Sequence, residues 1–330
     1  MIKKAYLTAV LPFLIFSYTF SQTQEIPGHH IAEIFTDCHL NMRNDDNKTG
    51  FAINRAYIGY IYNVDKNFYG NITLNIGSPD ELAPGSTDRR YAFFREASLN
   101  YTDQNLNISF GMVTARIFSF QQKFLGKRYV ANTFESLNGY GFIADLGVVT
   151  DYKINDMLDL DLSITNGEGY GSLELDNSIM TGLGITVSPV TEMAIRLYGD
   201  LQQKEGLWKG TGILFAGYKN EKFTIGGEIC YKSNLDLIAG HNAWGFSATG
   251  AVSLAKKLEF FTRYDFSTSS TGGGETVPFN VAYDGKFLIN GFQYTFNKVV
   301  KLALDNQATF PSDKTKTVSD LIYINALFKF

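Results

Sequence analysis

The sequence predicts an all-β protein: a transmembrane, antiparallel, up-and-down β-barrel of about sixteen strands spanning residues 22–330, with a long third external loop folded into the lumen. Three observations predict it. Segments of roughly ten residues, the length a tilted strand needs to cross a bilayer, alternate apolar and polar side chains along the whole chain. The connections between them alternate short and long. The chain ends on an alternating strand, LIYINALFKF, which stops at Phe330 with no polar tail.

At the N-terminus Lys3 and Lys4 precede an apolar stretch, Ala5 to Phe20, that Pro12, Ser17 and Thr19 interrupt. It is too short for a membrane span and reads as a signal peptide over residues 1–21. Thr19 and Ser21 supply small residues at positions −3 and −1 of a cut before Gln22, with Phe20 and Thr19 as the other candidates for the last residue removed. No cysteine follows to carry a lipid anchor. Cleavage removes two lysines and no acid, which leaves 27 basic against 33 acidic side chains. A mildly acidic chain argues against nucleic acid as a partner.

The clearest strands are Phe68 to Ile76, Leu106 to Met112, Leu158 to Ile164, Met193 to Leu201, Leu258 to Phe266 and Val300 to Asn306. In the third, Leu158, Leu160, Leu162 and Ile164 oppose Asp159, Asp161, Ser163 and Thr165. Aspartates at alternate positions exclude apolar burial on both faces, so one face is wet. The mean hydropathy, −0.09, resembles that of a soluble protein. A membrane barrel hides in that average because its strands are apolar outside and polar inside, and no segment after residue 21 is a membrane helix.

The short connections are Asn63 to Asn67, Thr102 to Asn105, Lys153 to Asp156, Ser188 to Thr191, Lys219 to Glu221, Ala255 to Lys257 and Asn297 to Lys298. Longer polar or glycine-rich ones lie between: Gly77 to Arg90, Thr114 to Gly141, Gly167 to Asn177, Ser233 to Ala243, Ser267 to Asp284 and Pro311 to Asp320. Short periplasmic turns and long external loops follow this order, and both termini on one side require an even strand number. Tyr60, Tyr62, Phe68, Tyr101, Tyr152, Tyr218, Phe223, Tyr294, Phe296, Phe328 and Phe330 cluster on the side of the short turns, where an aromatic girdle belongs. The abundance of glycine, 31 residues, suits crowded inward positions. Cys38 faces lipid and Cys230 the lumen by parity, so neither is expected to be bridged.

A barrel of this size leaves an aqueous channel unless a segment enters it. Thr114 to Gly141 is the candidate. It carries Arg116, Lys123, Lys127 and Arg128 against the single acid Glu135, and a positive loop in a pore attracts anions. Phe118, Phe120, Phe124, Tyr129 and Phe134 give it anchors that need something to pack against. The alternative is a loop on the rim with its charges solvated or on lipopolysaccharide phosphates. Parity places Glu33, Asp37, Arg55, Glu96, Asp145, Asp159, Asp161, Arg196, Asp200, Glu228, Lys232, Arg263, Asp265, Lys301 and Asp305 on the lumen wall, where Arg263 with Asp265 and Arg196 with Asp200 are expected to pair. Arg95 falls on the lipid face.

In the last strand Ile322, Ile324, Ala326, Phe328 and Phe330 share one face, and Tyr323, Asn325 and Lys329 the other. This ending resembles the C-terminal assembly signal of bacterial outer-membrane β-barrels, carried by Ile324, Phe328 and Phe330. The stretches RAYIGYIYN (Arg55 to Asn63), REASLNYTD (Arg95 to Asp103), FQQKFLGKRYV (Phe120 to Val130), GYGFIADLGV (Gly139 to Val148), NGEGY (Asn166 to Tyr170), FAGYKNEKFTIGGE (Phe215 to Glu228) and RYDF (Arg263 to Phe266) resemble the porins of Bacteroidetes and, more loosely, the phosphate-selective porins O and P. The resemblance implies a sixteen-stranded channel, often a homotrimer, whose third external loop folds inward. In phosphate-selective members arginines line the channel; Arg55, Arg116, Arg128, Arg196 and Arg263 fit that pattern, and the aspartates of the wall depart from it.

The function expected is a passive outer-membrane channel for small hydrophilic solutes or ions, leaning towards anions or phosphate. Its partners are those solutes, outer-membrane lipid and lipopolysaccharide, and the barrel assembly machinery. No cofactor, metal or catalytic group is expected. Two other classes remain in view: an adhesive or structural barrel with a blocked lumen, and a barrel-embedded lipid hydrolase, which needs a serine beside a histidine. Only His39 of the four histidines lies in a strand, and it faces inward. The triplet Gly272 to Gly274 lacks the strand and helix that phosphate binding requires.

Overall fold

A computed structural model describes residues 28–42, 49–77, 92–171 and 177–330. The leader expected over residues 1–21 lies outside the described residues. Sixteen antiparallel strands close into one barrel: β1 (Gly28–Asn41), β2 (Gly50–Asn63), β3 (Phe68–Gly77), β4 (Ala92–Thr102), β5 (Leu106–Thr114), β6 (Ala144–Asn155), β7 (Leu158–Thr165), β8 (Met180–Val187), β9 (Met193–Lys204), β10 (Leu207–Lys219), β11 (Phe223–Ser233), β12 (Ala243–Ala255), β13 (Leu258–Ser269), β14 (Gly285–Thr295), β15 (Val300–Pro311) and β16 (Ser319–Lys329). Each strand pairs with its sequence neighbours. β1 pairs with β16 from Glu33 opposite Lys329 to Asn41 opposite Leu321, and the amide of Phe330 donates to the carbonyl of Ala32 (2.8 Å). Closure leaves no edge whose amides would lack partners in hydrocarbon.

Alternation decides which face each strand turns outward. On β9, Ile195, Leu197 and Leu201 are exposed, whereas Ala194, Arg196, Tyr198, Asp200 and Gln202 are buried. On β11, Ile225, Ile229 and Tyr231 are exposed while Glu228, Cys230 and Lys232 are buried. Exposed apolar side chains belong against lipid, and the polar set forms the inner wall. β16 keeps the same parity, with Ile324 and Phe330 outward and Asn325 buried. Cys38 and Cys230 are both free.

All seven short connections lie at one end of the barrel, with the aromatic girdle beside them. Ring pairs Phe68 with Tyr101 (5.1 Å), Tyr218 with Phe223 (5.5 Å) and Tyr294 with Phe296 (4.7 Å) belong to that girdle. The opposite end departs from the expected pattern once. Between β9 and β10 there is only a two-residue turn, Glu205 and Gly206, both at positive φ. Such a turn matches the twist of paired strands, and glycine adopts its second position without strain.

A second departure concerns Arg95. The register between β3 and β4 shifts at Thr73 and Leu74, so Arg95 is an extra residue with no partner opposite it. This bulge turns Arg95 inward, where Nη1 donates to Thr114 Oγ1 (3.1 Å) and the guanidinium lies 5.6 Å from the Tyr57 ring centre. The expectation that Arg95 faces lipid fails because one inserted residue resets strand parity. A similar shift in β2 places both Asn54 and Arg55 on the inner side.

Candidate functional site

The segment between β5 and β6 contains two helices, α1 (Arg116–Leu125) and α2 (Phe134–Leu137). Gly126 stops α1 in the left-handed conformation (φ 69°) with its amide on the carbonyl of Gln122. Ile117, Phe118 and Gln121 form the buried side of α1. Ile117, Phe118, Phe134 and Tyr140 pack on Tyr198, Ile213, Cys230 and Ala243, inward positions of β9 to β12. Tyr129 and Val130 pack on Phe35, Ala251, Phe261, Ile289 and Ala303 of β1 and β12 to β15. Phe134 is accommodated by Gly245, where a β-carbon would stand 2.6 Å from Phe134 Cζ. Polar tethers complete the attachment. Tyr129 donates to Gln293 Oε1 (2.8 Å), Gln307 Nε2 donates to the carbonyl of Val130 (3.1 Å), and Lys219 Nζ donates to that of Phe124 (2.7 Å).

The five charged residues of this segment have different roles. Arg116 grips Asp151 on β6 through Nε and Nη2 (2.8 and 2.7 Å), a bidentate pair that fixes the start of α1. Lys127 pairs with Glu259 on β13. Lys123 is exposed and, with Asp159, lines a cavity of ≈520 Å³ that opens beside the short turns. Glu135 departs from the expectation of a pore-lining acid: it is fully buried under α1 against Glu228. A carboxyl set among aromatic anchors follows them into the wall contact.

Arg128 lies at the centre of a basic cluster. Its Nη1 donates to Asn132 Oδ1 (2.5 Å); Arg55 Nη2 reaches the same oxygen (3.4 Å), and Arg263 Nη1 donates to the Asn132 carbonyl (2.5 Å). Burial, then the neighbouring Arg55, lowers the Arg128 guanidinium to about 10, which leaves it charged at neutral pH. Arg55, Arg128 and Asn132 line a cavity of ≈710 Å³ together with Asp37, His39, Gln307 and Tyr323. The alternation pattern says nothing of Asn132. Two adjacent charged residues, Arg95 and Glu96, are the one sequence sign that β4 contains a bulge.

Most of the acids expected on the wall are engaged there. Arg263 and Asp265 pair as expected, through Nε (2.8 Å) and Nη2 (2.6 Å). Arg196 instead pairs with Asp161 (2.5 and 3.0 Å), two strands away, and not with Asp200. Asp200 accepts from Thr211 Oγ1 (2.6 Å), which accepts from Lys232 (2.6 Å). The Asp200 expectation fails because Gly184 on β8 leaves the space between β7 and β9 open to the longer reach. Asp145 accepts the amides of Leu146 (2.9 Å) and Gly167 (2.6 Å). Asp305 accepts from Asn325 (2.7 Å) and Gln307 (2.9 Å), and Glu96 from Asn71 and Thr114. Glu33 and Lys301 are half-buried on the wall. His39 faces inward with Nδ1 on Asp37 Oδ1 (2.6 Å) and packs beside Tyr323 (5.5 Å). Among the described residues no serine hydroxyl hydrogen-bonds this ring.

No protein-family model and no curated protein sequence matches the chain. Solved structures do. OmpF of Salmonella typhi, in complex with daunomycin, aligns with a TM-score of 0.68 at 12% identity over 92% of this chain and 97% of that one. The outer membrane channel DcaP of Acinetobacter baumannii gives 0.63 at 12% over 92% and 97%. The trimer form of OmpT of Vibrio cholerae gives 0.59 at 11% over 92% and 99%. The fold is that of the outer-membrane porins. At these identities the likeness is one of architecture, and the solute must be argued from the inner wall.

Proposed function

We propose that this protein is an outer-membrane porin, a passive channel for small hydrophilic solutes that favours anions. The observation that carries the preference is the meeting of Arg128 from the inward segment with Arg55 from the wall at Asn132, beside the ≈710 Å³ cavity. Asn132 is a neutral partner, and Arg128 makes no ion pair among the described residues. An anion passing this point relieves repulsion between two guanidiniums, whereas Asp161, Asp265 and Asp151 already hold cations of the protein. In this reading residues 114–141 lie in the lumen and form its constriction, supported by their packing on inward positions of both halves of the barrel. Phosphate is one anion the cluster would take.

Delivery follows the same reading: a leader over residues 1–21 directs secretion, and the assembly machinery reads Ile324, Phe328 and Phe330. Assembly as a homotrimer in lipopolysaccharide-bearing membrane is part of the proposal, supported by the trimer form among the similar structures. The test is the reversal potential of single channels in a planar bilayer under a KCl gradient. An anion-favouring potential that phosphate reduces supports the reading. A cation-favouring potential sinks the anion preference, and a folded barrel that does not conduct sinks the channel.

A further inference from the structure

A cavity of ≈220 Å³ lies at the end opposite the short turns, between the segment joining β5 to β6 and the inner faces of β7, β9, β10 and β11. It shares no lining residue with the cavity beside Arg128. Ile117, Tyr140 and Tyr198 border it and belong to the buried apolar cluster of that segment, so it ends on packed side chains. Lys209 and Lys232 also line it, and both are more than nine-tenths buried. Lys232 stands opposite Thr211, two residues from Lys209 on the same face, a diagonal spacing that one carboxylate can bridge. Lys232 Nζ donates to Thr211 Oγ1 (2.6 Å), which donates to Asp200 Oδ1 (2.6 Å). Lys209 makes no hydrogen bond or ion pair among the described residues. Opposite Lys209 in the register is Gln202, 1% exposed. Its Nε2 donates to the carbonyl of Asn166 (3.2 Å) and to Ser178 Oγ (2.6 Å), while its Oε1 finds no partner among the described residues. A buried ammonium and a buried amide oxygen, both costly when unpaired, thus face each other across one ladder position.

We propose that this cavity binds one sugar acid of monosaccharide size, a hexuronate in its simplest form, with the carboxylate bridging Lys209 and Lys232 and hydroxyls donating to Gln202 and Asp200. A carboxylate gives Lys209 the charged acceptor it lacks, and a neutral sugar offers only weaker ones. An anion without hydroxyls satisfies the lysines alone. Asp145, Glu168, Asp200 and Asp236 also border the cavity, where they would repel a second negative charge and can accept from hydroxyls. Phe142 supplies an aromatic ring for the apolar C–H face of a sugar. The site stands on this geometry and holds whether or not the barrel conducts.

The experiment is titration calorimetry of the full barrel in detergent with three six-membered rings: D-glucuronate, D-glucose, which lacks the carboxylate, and cyclohexanecarboxylate, which lacks the hydroxyls. Glucuronate is expected to bind about tenfold or more tightly than either of the others, and Lys209→Met to remove that margin. Glucose bound as well as glucuronate overturns the role of the lysines. Cyclohexanecarboxylate bound as well overturns the sugar and leaves a plain anion site. Absence of glucuronate binding, or binding that Lys209→Met leaves intact, overturns the proposal outright. Binding lost in Arg128→Gln and kept in Lys209→Met puts the solute at the other cluster and overturns the assignment. Heat-modifiable electrophoretic mobility checks folding, and Lys232→Met tests the same carboxylate contact if Lys209→Met fails to fold.

Discussion

Arg196 on β9 holds Asp161 on β7 across an intervening strand, through two hydrogen bonds of 2.5 and 3.0 Å. The pair passes over Gly184 of β8, which lies opposite Asp161 in the register. Arg196 Nη2 also donates to the carbonyl of Arg116 (3.1 Å), and its guanidinium lies 5.5 Å from the Phe120 ring centre. One side chain thus ties three strands of wall to the start of the segment between β5 and β6.

Gly184→Ala should break this connection. A β-carbon there would overlap both Asp161 Oδ2 and Arg196 Nη2. Both side chains are buried, and leaving a buried charge unpaired costs roughly 3–5 kcal/mol. Urea unfolding in detergent should show Gly184→Ala and Asp161→Asn destabilised to a similar degree. A Gly184→Ala barrel as stable as the wild type would mean the pair bears no strain there.

Removing the charge of Arg128 should shift selectivity more than stability. A unit charge in contact with a passing ion in water is worth about 1 kcal/mol, or about fivefold in relative permeability. Arg128→Gln is therefore expected to lower the anion-to-cation ratio by up to about that factor, with Arg55→Gln acting in the same direction. Reversal potentials measured at low and high salt check this, since screening should shrink the effect.

Phe134 is 1% exposed and should anchor the segment between β5 and β6. Phe134→Ala is expected to remove roughly 3–5 kcal/mol of packing and to give larger, noisier conductance steps. Gly245→Ala presses on the same ring from the wall side and also on the Phe266 carbonyl of β13, so it should loosen both the segment and the strand pairing behind it. Unchanged conductance in both variants would show that the passage does not run past this contact.

Deleting Phe330 should separate assembly from stability. Its amide closes the β1–β16 seam through one hydrogen bond, while its ring is 75% exposed. Folded protein recovered from cell membranes should fall several-fold while refolding into detergent changes little. Equal losses in both assays would mark Phe330 as a structural residue and not a signal.

Leu158 to Thr165 could be assigned residue by residue because aspartate and leucine alternate without a break. Arg95 could not, since a single extra residue at a bulge reverses parity and leaves only a pair of adjacent charges as its trace. Asp200 and Asp161 have the same parity and both lie near Arg196, so spacing cannot choose between them. Glu135 was legible as the one acid in a basic segment; its burial depended on where Phe134 and Tyr140 found wall to pack on.

The sequence by itself determined the barrel, its two faces and its two ends, because a strand between lipid and an aqueous interior must alternate at period two, and turn length reports the side. Tertiary structure alone decided which charges meet. Arg128 and Arg55 lie 73 residues apart yet share Asn132, and Glu135 and Glu228 share a dry site, because such contacts depend on register, bulges and the path of one segment through space.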